Sequence, residues 1–405
     1  MAIDVRRCAS VDEFLAAFYG IGQYFGPPPD EERAARFLRN LELERMHGAW
    51  SDGDAAGGAG AFAFDMSIPG GSLPCAGVTV VGVYPTHRRR GVLTAMMRAQ
   101  LDDVRERGEP IAALWASEEP IYGRFGYGMA SLQGEIAITR DRAAFARPHE
   151  PSTRARFVGP DDALERFPAV WEALRAQRPG VFARTRDWWE SRVVADPEDR
   201  REAGMPKRFV AFDGDGGLEG YAIYRTKPGW EHGTSVGRLN VIEAVGATPA
   251  ATRDVWRFLL DVDWIETIAA YLLPVDHPLF FLLAEPRRLR FRAGDGLWVR
   301  LVDVGAALSG RGYGADGRVV FEVGDAFCPW NEGRWKLEGG EAARTGDEPD
   351  LRLDVTALGS VFLGGFTFRQ LADALRVEEL REGAVARADA IFRTDAAAPW
   401  CPEIF

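Results

Sequence analysis

The stretch Val80–Met97, VVGVYPTHRRRGVLTAMM, limits what this chain can fold into more than any other. An apolar strand runs into Pro85, which has no N–H and so ends the strand's ladder. A histidine, three arginines and Gly91 follow, and then a helix. Leu93, Met97, Leu101 and Val104 fall at i, i+4, i+8 and i+11, and Gly108 stands where a helix C-cap is expected. Pro110–Ser117, PIAALWAS, then reads as a buried strand. Strand, turn, helix and strand in this order make one parallel crossover. At such a turn the first helical residues carry unpaired N–H groups and the positive end of the helix dipole, which suits a pyrophosphate. Gly91 lets the backbone approach that anion closely, and Arg88, Arg89 and Arg90 add cationic donors. If the strand through Val81 and Val83 diverges from its neighbour, its free N–H and C=O groups can pair with an extended amide-bearing ligand. Pantetheine is such a ligand, and with the anion site below it coenzyme A is the natural fit. The turn is neither a Walker A loop nor a G-x-G-x-x-G dinucleotide fingerprint.

A chain of 405 residues is expected to form two or three domains. Its net charge of −11 argues against nucleic acid as a partner, because phosphate binding needs a basic surface, and is compatible with a cationic substrate. Cys8, Cys75, Cys328 and Cys401 lie far apart with no C-x-x-C, and no H-E-x-x-H exists, so no metal site is expected. The N-terminus lacks a signal-peptide core, and the most apolar stretch, YLLPVDHPLFFLLAEP, is interrupted by prolines, Asp276 and His277. Neither feature suits a membrane, and a cytoplasmic protein is expected.

Along the chain, a mixed region to about residue 150 precedes a charged, proline-bearing stretch, TRDRAAFARPHEPSTRARF. A second mixed region follows, with the aromatic helix RDWWESRVV, the hairpin RFVAFDGDGGLEGYAIYR and the helix PAATRDVWRFLLDVD. From GDGLWVRLVDVGAAL onward, strands (RVVFEVGD, GRWKLEGG) give way to helices, an α+β pattern.

A second motif lies just after the PIAALWAS strand. Arg88-Arg89-Arg90-Gly91-Val92-Leu93 is similar to the coenzyme A loop R-x-x-G-x-G/A of GCN5-related N-acetyltransferases, with Leu93 in place of the final small residue. Tyr122-Gly123-Arg124-Phe125-Gly126-Tyr127 matches their Y-x-x-x-G-F/Y pattern. VYPTHRRRGVL and IYGRFGYG together resemble the Eis (enhanced intracellular survival) family, in which leucine at this place is normal. GYAIYR, DGLWVRLVDVGAAL, LGSVFLGG and a final phenylalanine extend the resemblance over most of the chain.

The resemblance implies two tandem acetyltransferase-like domains followed by a sterol-carrier-protein-like α+β domain: residues 1–150 catalytic, 151–292 degenerate and without the cofactor loop, 293–405 carrier-like. It implies a homohexamer that moves acetyl groups from acetyl-CoA to primary amines of polyamine or aminoglycoside type. A protein lysine acetyltransferase and a non-catalytic lipid-binding protein are the alternatives. Tyr122 would be the acid, with Tyr127 competing, and the α-carboxylate of Phe405 the base. The family often carries acids at the penultimate position and near Gln23. Here Ile404 stands at the first, with Glu403 one further back. Near the second stand Asp30, Glu31 and Glu32, which also read as a helix start after prolines.

Overall fold

The computed structural model describes residues 3–25, 31–201 and 204–405, so Asp30 lies outside the described residues. Its contacts divide the chain into two compact units: Met1–Ser131, Leu297–Pro399 and Ile404–Phe405 form one, and Leu132–Gly296 with Trp400–Glu403 the other.

The first unit opens with β1 (Ile3–Arg7), β2 (Met46–Ser51), β3 (Asp54–Ile68), β4 (Gly71–Val83), β5 (Ile111–Trp115) and β6 (Gly128–Met129). These form one sheet in the order β1-β2-β3-β4-β5, then Leu297–Leu301, then β6. Helices α1 (Val11–Phe25) and α2 (Glu31–Leu38) lie between β1 and β2, α3 (Val92–Glu106) between β4 and β5, and the one-turn α4 (Glu119–Tyr122) after β5. Glu31 and Glu32 fill the first turn of α2, the helix start read from the sequence. On α3, Met97, Leu101 and Val104 are buried as the apolar stripe requires, while Leu93 at its open end is half-buried. Gly108 follows the helix at φ 72°, the left-handed conformation that ends it.

The second unit begins with β7 (Leu132–Thr139), then β8 (Arg154–Val158), β9 (Arg208–Gly214) and β10 (Gly217–Lys227). A short hairpin, β11 (Trp230–Glu231) and β12 (Thr234–Ser235), precedes β13 (Arg238–Gly246), β14 (Thr267–Leu273) and β15 (Arg292–Asp295). Its sheet runs β15-β7-β14-β13-β10-β9-β8. Helices α5 (Pro160–Arg175), α6 (Arg186–Trp188) and α7 (Pro249–Leu260) cover it. The aromatic helix expected at RDWWESRVV is present, but it widens into a π-helical segment over Trp189–Val194.

Strand β7 lies inside the first 150 residues yet pairs antiparallel with β14 and β15 of the second sheet. Conversely β16 (Leu297–Leu301) pairs antiparallel with β5 and β6 of the first sheet. Each of the two seven-stranded sheets is completed by a strand that chain order would give to the other. The remainder of the first unit carries a five-stranded sheet, with β17 (Arg318–Gly324), β18 (Gly333–Glu338), β19 (Glu341–Arg344), β20 (Leu351–Asp354) and β21 (Val377–Glu379) in the order β19-β18-β17-β20-β21. Helices Val355–Phe362, Phe368–Asp373 and Ala384–Phe392 complete this α+β part. All four cysteines are free and buried.

Candidate active site

Strands β4 and β5 run parallel only from Cys75↔Ile111 to Gly77↔Ala113. Beyond Gly77, β4 stays paired with β3 to Gly57↔Val83, with a bulge between Gly58 and Gly60, and has no strand on its other side. Val80, a β-branched residue, is held at φ 48° in this bulge. A left-handed valine costs about 1–3 kcal/mol and persists only where its surroundings over-determine it. Tyr84 N–H donates to Ala56 O on β3, which turns Val83 C=O away from β3; it accepts from Tyr24 Oη at 2.9 Å. The divergence that the sequence reading required of Val81 and Val83 is therefore present.

After β4, Pro85–His87 form a single 3₁₀ turn, Arg89 is left-handed at φ 62°, and Gly91 caps α3 at φ 86°. No side chain caps α3, so its first N–H groups remain available to an anion. A cavity of about 510 Å³ opens here, lined by Arg88, Arg89, Gly91, Val92, Leu93 and Arg124. Arg90 is exposed and lines neither this cavity nor the next. Arg124, inside the tyrosine motif, adds a cation that sequence reasoning did not single out. Its place between Tyr122 and Gly126 was the available signal.

A second cavity, about 210 Å³, shares Val83, Arg88 and Leu93 with the first. It reaches Val81, Tyr24, Glu118 and Tyr122. Tyr122 ends α4 and is buried in a cluster with Ala61, Ala76 and Leu114. Burial, with a smaller contribution from Glu118, pushes its phenol up to about 12, so it is a neutral proton donor at physiological pH. Tyr127 is fully buried, its Oη has no hydrogen-bond partner, and it lines neither cavity. Its ring packs edge-on to Tyr122 at 6.1 Å, a supporting position. Gly126 between them has φ 86°, and a Cβ there would run into the Arg300 guanidinium. Arg300, wholly buried on β16, is held by Asp325 at 2.5 Å. The exchanged strand thus supports the tyrosine motif from beneath.

Phe405 is buried, with its ring edge-on to Phe64 of β3 at 4.9 Å. Phe64 and Ala61 are three residues apart on one strand, so they face opposite sides of the sheet. Tyr122 packs on the Ala61 side and Phe405 on the Phe64 side. Ile404 is 48% exposed. Glu403, one residue back from the penultimate position, is already engaged within the second unit. Arg184 Nε and Nη2 donate to it at 3.1 and 2.8 Å, and Trp188 Nε1 at 2.9 Å. Held in this way, Glu403 is a structural anchor. Gln23 is exposed on α1. Tyr24 and Glu118 escaped the sequence reading. Among the described residues no group of three or more His, Cys, Asp or Glu is arranged to hold a metal ion.

Residues 7–130 and 180–301 each match an acetyltransferase (GNAT) domain family, and residues 304–402 a sterol carrier protein domain. An uncharacterized N-acetyltransferase of Streptomyces avermitilis is 45% identical, covering 97% of this chain and 96% of its own length. The N-acetyltransferase Eis of Mycobacterium tuberculosis is 35% identical, covering 82% of this chain and 81% of its own. The crystal structure of Eis1 from Mycobacterium abscessus superposes with a TM-score of 0.85 at 35% identity, over 99% of this chain and all of that one.

The chain belongs to the Eis family of GCN5-related N-acetyltransferases. It is an N-acetyltransferase with two such domains followed by a sterol-carrier-like domain, the architecture its motifs implied. In this member of the Eis family the arginine turn and the motif tyrosine border two cavities that share lining residues, in the first sheet.

Proposed function

We propose that this chain transfers the acetyl group of acetyl-CoA to a primary amine of a polyamine- or aminoglycoside-type small molecule. The observation that carries this reading is the loss of β4–β5 pairing beyond Gly77 beside an uncapped, arginine-flanked α3, with a neutral, buried phenol in the adjoining cavity. Coenzyme A fits those residues. Arg88 and Arg89, with Arg90 at the rim, bind its phosphates together with the backbone of Gly91, Val92 and Leu93. The backbone of Val81 and Val83 pairs with the pantetheine amides as a strand would, displacing the Tyr24 hydroxyl from Val83.

An alkylamine has a pKa near ~10 and must lose a proton to attack. Tyr122 donates a proton to the departing thiolate. Where Phe405 closes the chain, its α-carboxylate accepts the proton from the amine. The protein works in the cytoplasm as a homohexamer. The lipid-carrier reading has less support: a cavity of about 240 Å³ in the carrier-like part mixes Arg311, Asp316 and several glycines with Leu337 and Ile391.

A free-thiol assay with acetyl-CoA against polyamines, aminoglycosides and lysine peptides tests the reading. Turnover with the small polyamines or aminoglycosides is expected. Turnover confined to lysine peptides would make this a protein acetyltransferase, and none with any amine would overturn the reading. Two glycines added after Phe405 should abolish most turnover while leaving acetyl-CoA binding intact, and near-normal turnover would remove Phe405 from the chemistry.

A further inference from the structure

We propose that Glu118 is the residue that receives the acceptor amine, pairing with its ammonium group beside Tyr122. This rests on the acetyltransferase reading above and adds to it a specificity-determining residue and a requirement for a cationic acceptor.

The smaller cavity has one carboxylate among its lining residues, that of Glu118. Its one cation, Arg88, is shared with the larger cavity, whereas Glu118 is not. The charges of the joined cavities are thus sorted, with arginines around the helix terminus and the acid on the side of Tyr122. Glu118 occupies the N-cap position of α4, at φ −139° and ψ 104°, yet its side chain makes no cap hydrogen bond. Aspartate, asparagine, serine or threonine would serve a cap far better. It is exposed at the cavity and forms no hydrogen bond or ion pair with any described residue. Its backbone does have a structural task, since Ile121 N–H donates to Glu118 O at 3.1 Å and so fixes the turn that carries the side chain. The result is a carboxylate without a partner, held on a closed turn, four residues before the proton donor. Its field reaches the Tyr122 phenol, on which it acts as the second cause of the upward shift.

Glu403 is held by Arg184 and Trp188, and Gln23 and Ile404 carry no charge. An ammonium group paired with Glu118 also loses the unfavourable field that the lone carboxylate places on the phenol. Amine binding and acid catalysis therefore support each other.

The test is calorimetric titration of spermidine into the protein–CoA complex, for wild type, Glu118→Gln and Glu118→Asp. Glutamine keeps the shape and removes the charge; a charge-assisted contact of this kind corresponds to about 10- to 100-fold in affinity. Spermidine should bind wild type, bind the glutamine variant about 10- to 100-fold more weakly, and recover in part with aspartate, while the Kd for CoA stays within about twofold. Equal spermidine affinity in wild type and the glutamine variant overturns the proposal, as does absence of binding to wild type. Loss of CoA affinity together with spermidine affinity also overturns it, because the residue would then hold the fold. Because the readout is binding, it is separable from the broader reading. Turnover with unchanged spermidine affinity removes Glu118 alone, whereas charge-dependent binding without turnover removes the acetyltransfer and leaves the amine site.

Discussion

The two acetyltransferase-like sheets follow the same plan. In the first, β1-β2-β3-β4-β5 is followed by the exchanged β16 and then β6; in the second, β8-β9-β10-β13-β14 is followed by the exchanged β7 and then β15. The central parallel pair separates in both: β4 leaves β5 after Gly77↔Ala113, and β13 leaves β14 after Val241↔Ala270. What differs is the helix that follows the fourth strand. Helix α3 is reached through the arginine turn and has no side-chain cap. Helix α7 is reached through Ala247 and Thr248 alone; Thr248 Oγ1 accepts from Ala251 N at 3.1 Å, and Pro249 removes one N–H from the first turn. Its N-terminus is satisfied internally and presents no arginine. The opening in the second sheet also has an occupant from its own unit. Past the last β13–β14 pair, Trp400 Nε1 donates to Leu272 O of β14, and Arg184 links Glu403 to Glu243 of β13. A shared backbone plan supplies the opening; in the second sheet a piece of the same chain enters it, and in the first the arginine turn stands beside it.

The largest effect that would break this contrast concerns Tyr122. Tyr122→Phe should lower kcat by about 10² to 10⁴ with little change in acetyl-CoA affinity, whereas Tyr127→Phe should alter stability more than kcat. A larger kcat loss in Tyr127→Phe would move the acid to the buried ring.

In the second unit the corresponding opening should be structural. Arg184 is wholly buried between Glu243 and Glu403, with its guanidinium 3.4 Å from the Trp171 ring centroid. Arg184→Met takes from Glu243 and Glu403 the cation they share, leaving Glu403 with Arg192 at 4.0 Å, and should cost about 3–5 kcal/mol, read as a lower denaturant midpoint. A midpoint unchanged from wild type would mean that the tail is not anchored there.

Acid should also weaken the second unit. His277 is buried, and burial lowers its pKa to about 3, with Arg178 contributing. The unfolded imidazole takes a proton near ~6.5 and the folded one does not, so its stability contribution is complete above ~6.5 and falls as the pH drops toward 3. The slope approaches about 1.4 kcal/mol per pH unit. His277→Gln, which keeps an acceptor for Leu279 N–H, should flatten the melting profile between pH 6 and 4 by roughly that amount. An unaltered profile would show that His277 is not its source.

The smallest effect is at the α7 cap. Thr248→Ala should cost about 1 kcal/mol of stability and leave acetyl-CoA affinity untouched. Any change in that affinity would contradict the assignment of the coenzyme to the first sheet.

Much of the first site was legible because its signals are local. The arginine turn, Gly91, the α3 stripe ending at Gly108 and the tyrosine motif each lie within one stretch of chain. The exchange of β7 and β16 was not legible, because LQGEIAIT and LWVRL read as ordinary strands whichever sheet they join, and strand pairing across some 160 residues leaves no local mark. Glu118 was missed for a related reason: a glutamate before a helical turn looks like any solvated acid until the cavity beside it is seen. The anchoring of Glu403 left no local mark either, because its partners, Arg184 and Trp188, are 219 and 215 residues away.

The central claim is that one coenzyme binds per chain, at the arginine turn of the first sheet. Calorimetric titration of acetyl-CoA into wild type and the Arg88→Ala/Arg89→Ala double variant tests it most directly. A charge-assisted contact is worth about 1.5–3 kcal/mol, so removing two should weaken binding by about 100-fold or more, from a wild-type stoichiometry of one per chain. Two coenzymes per chain, or an affinity that survives the loss of both arginines, would contradict it.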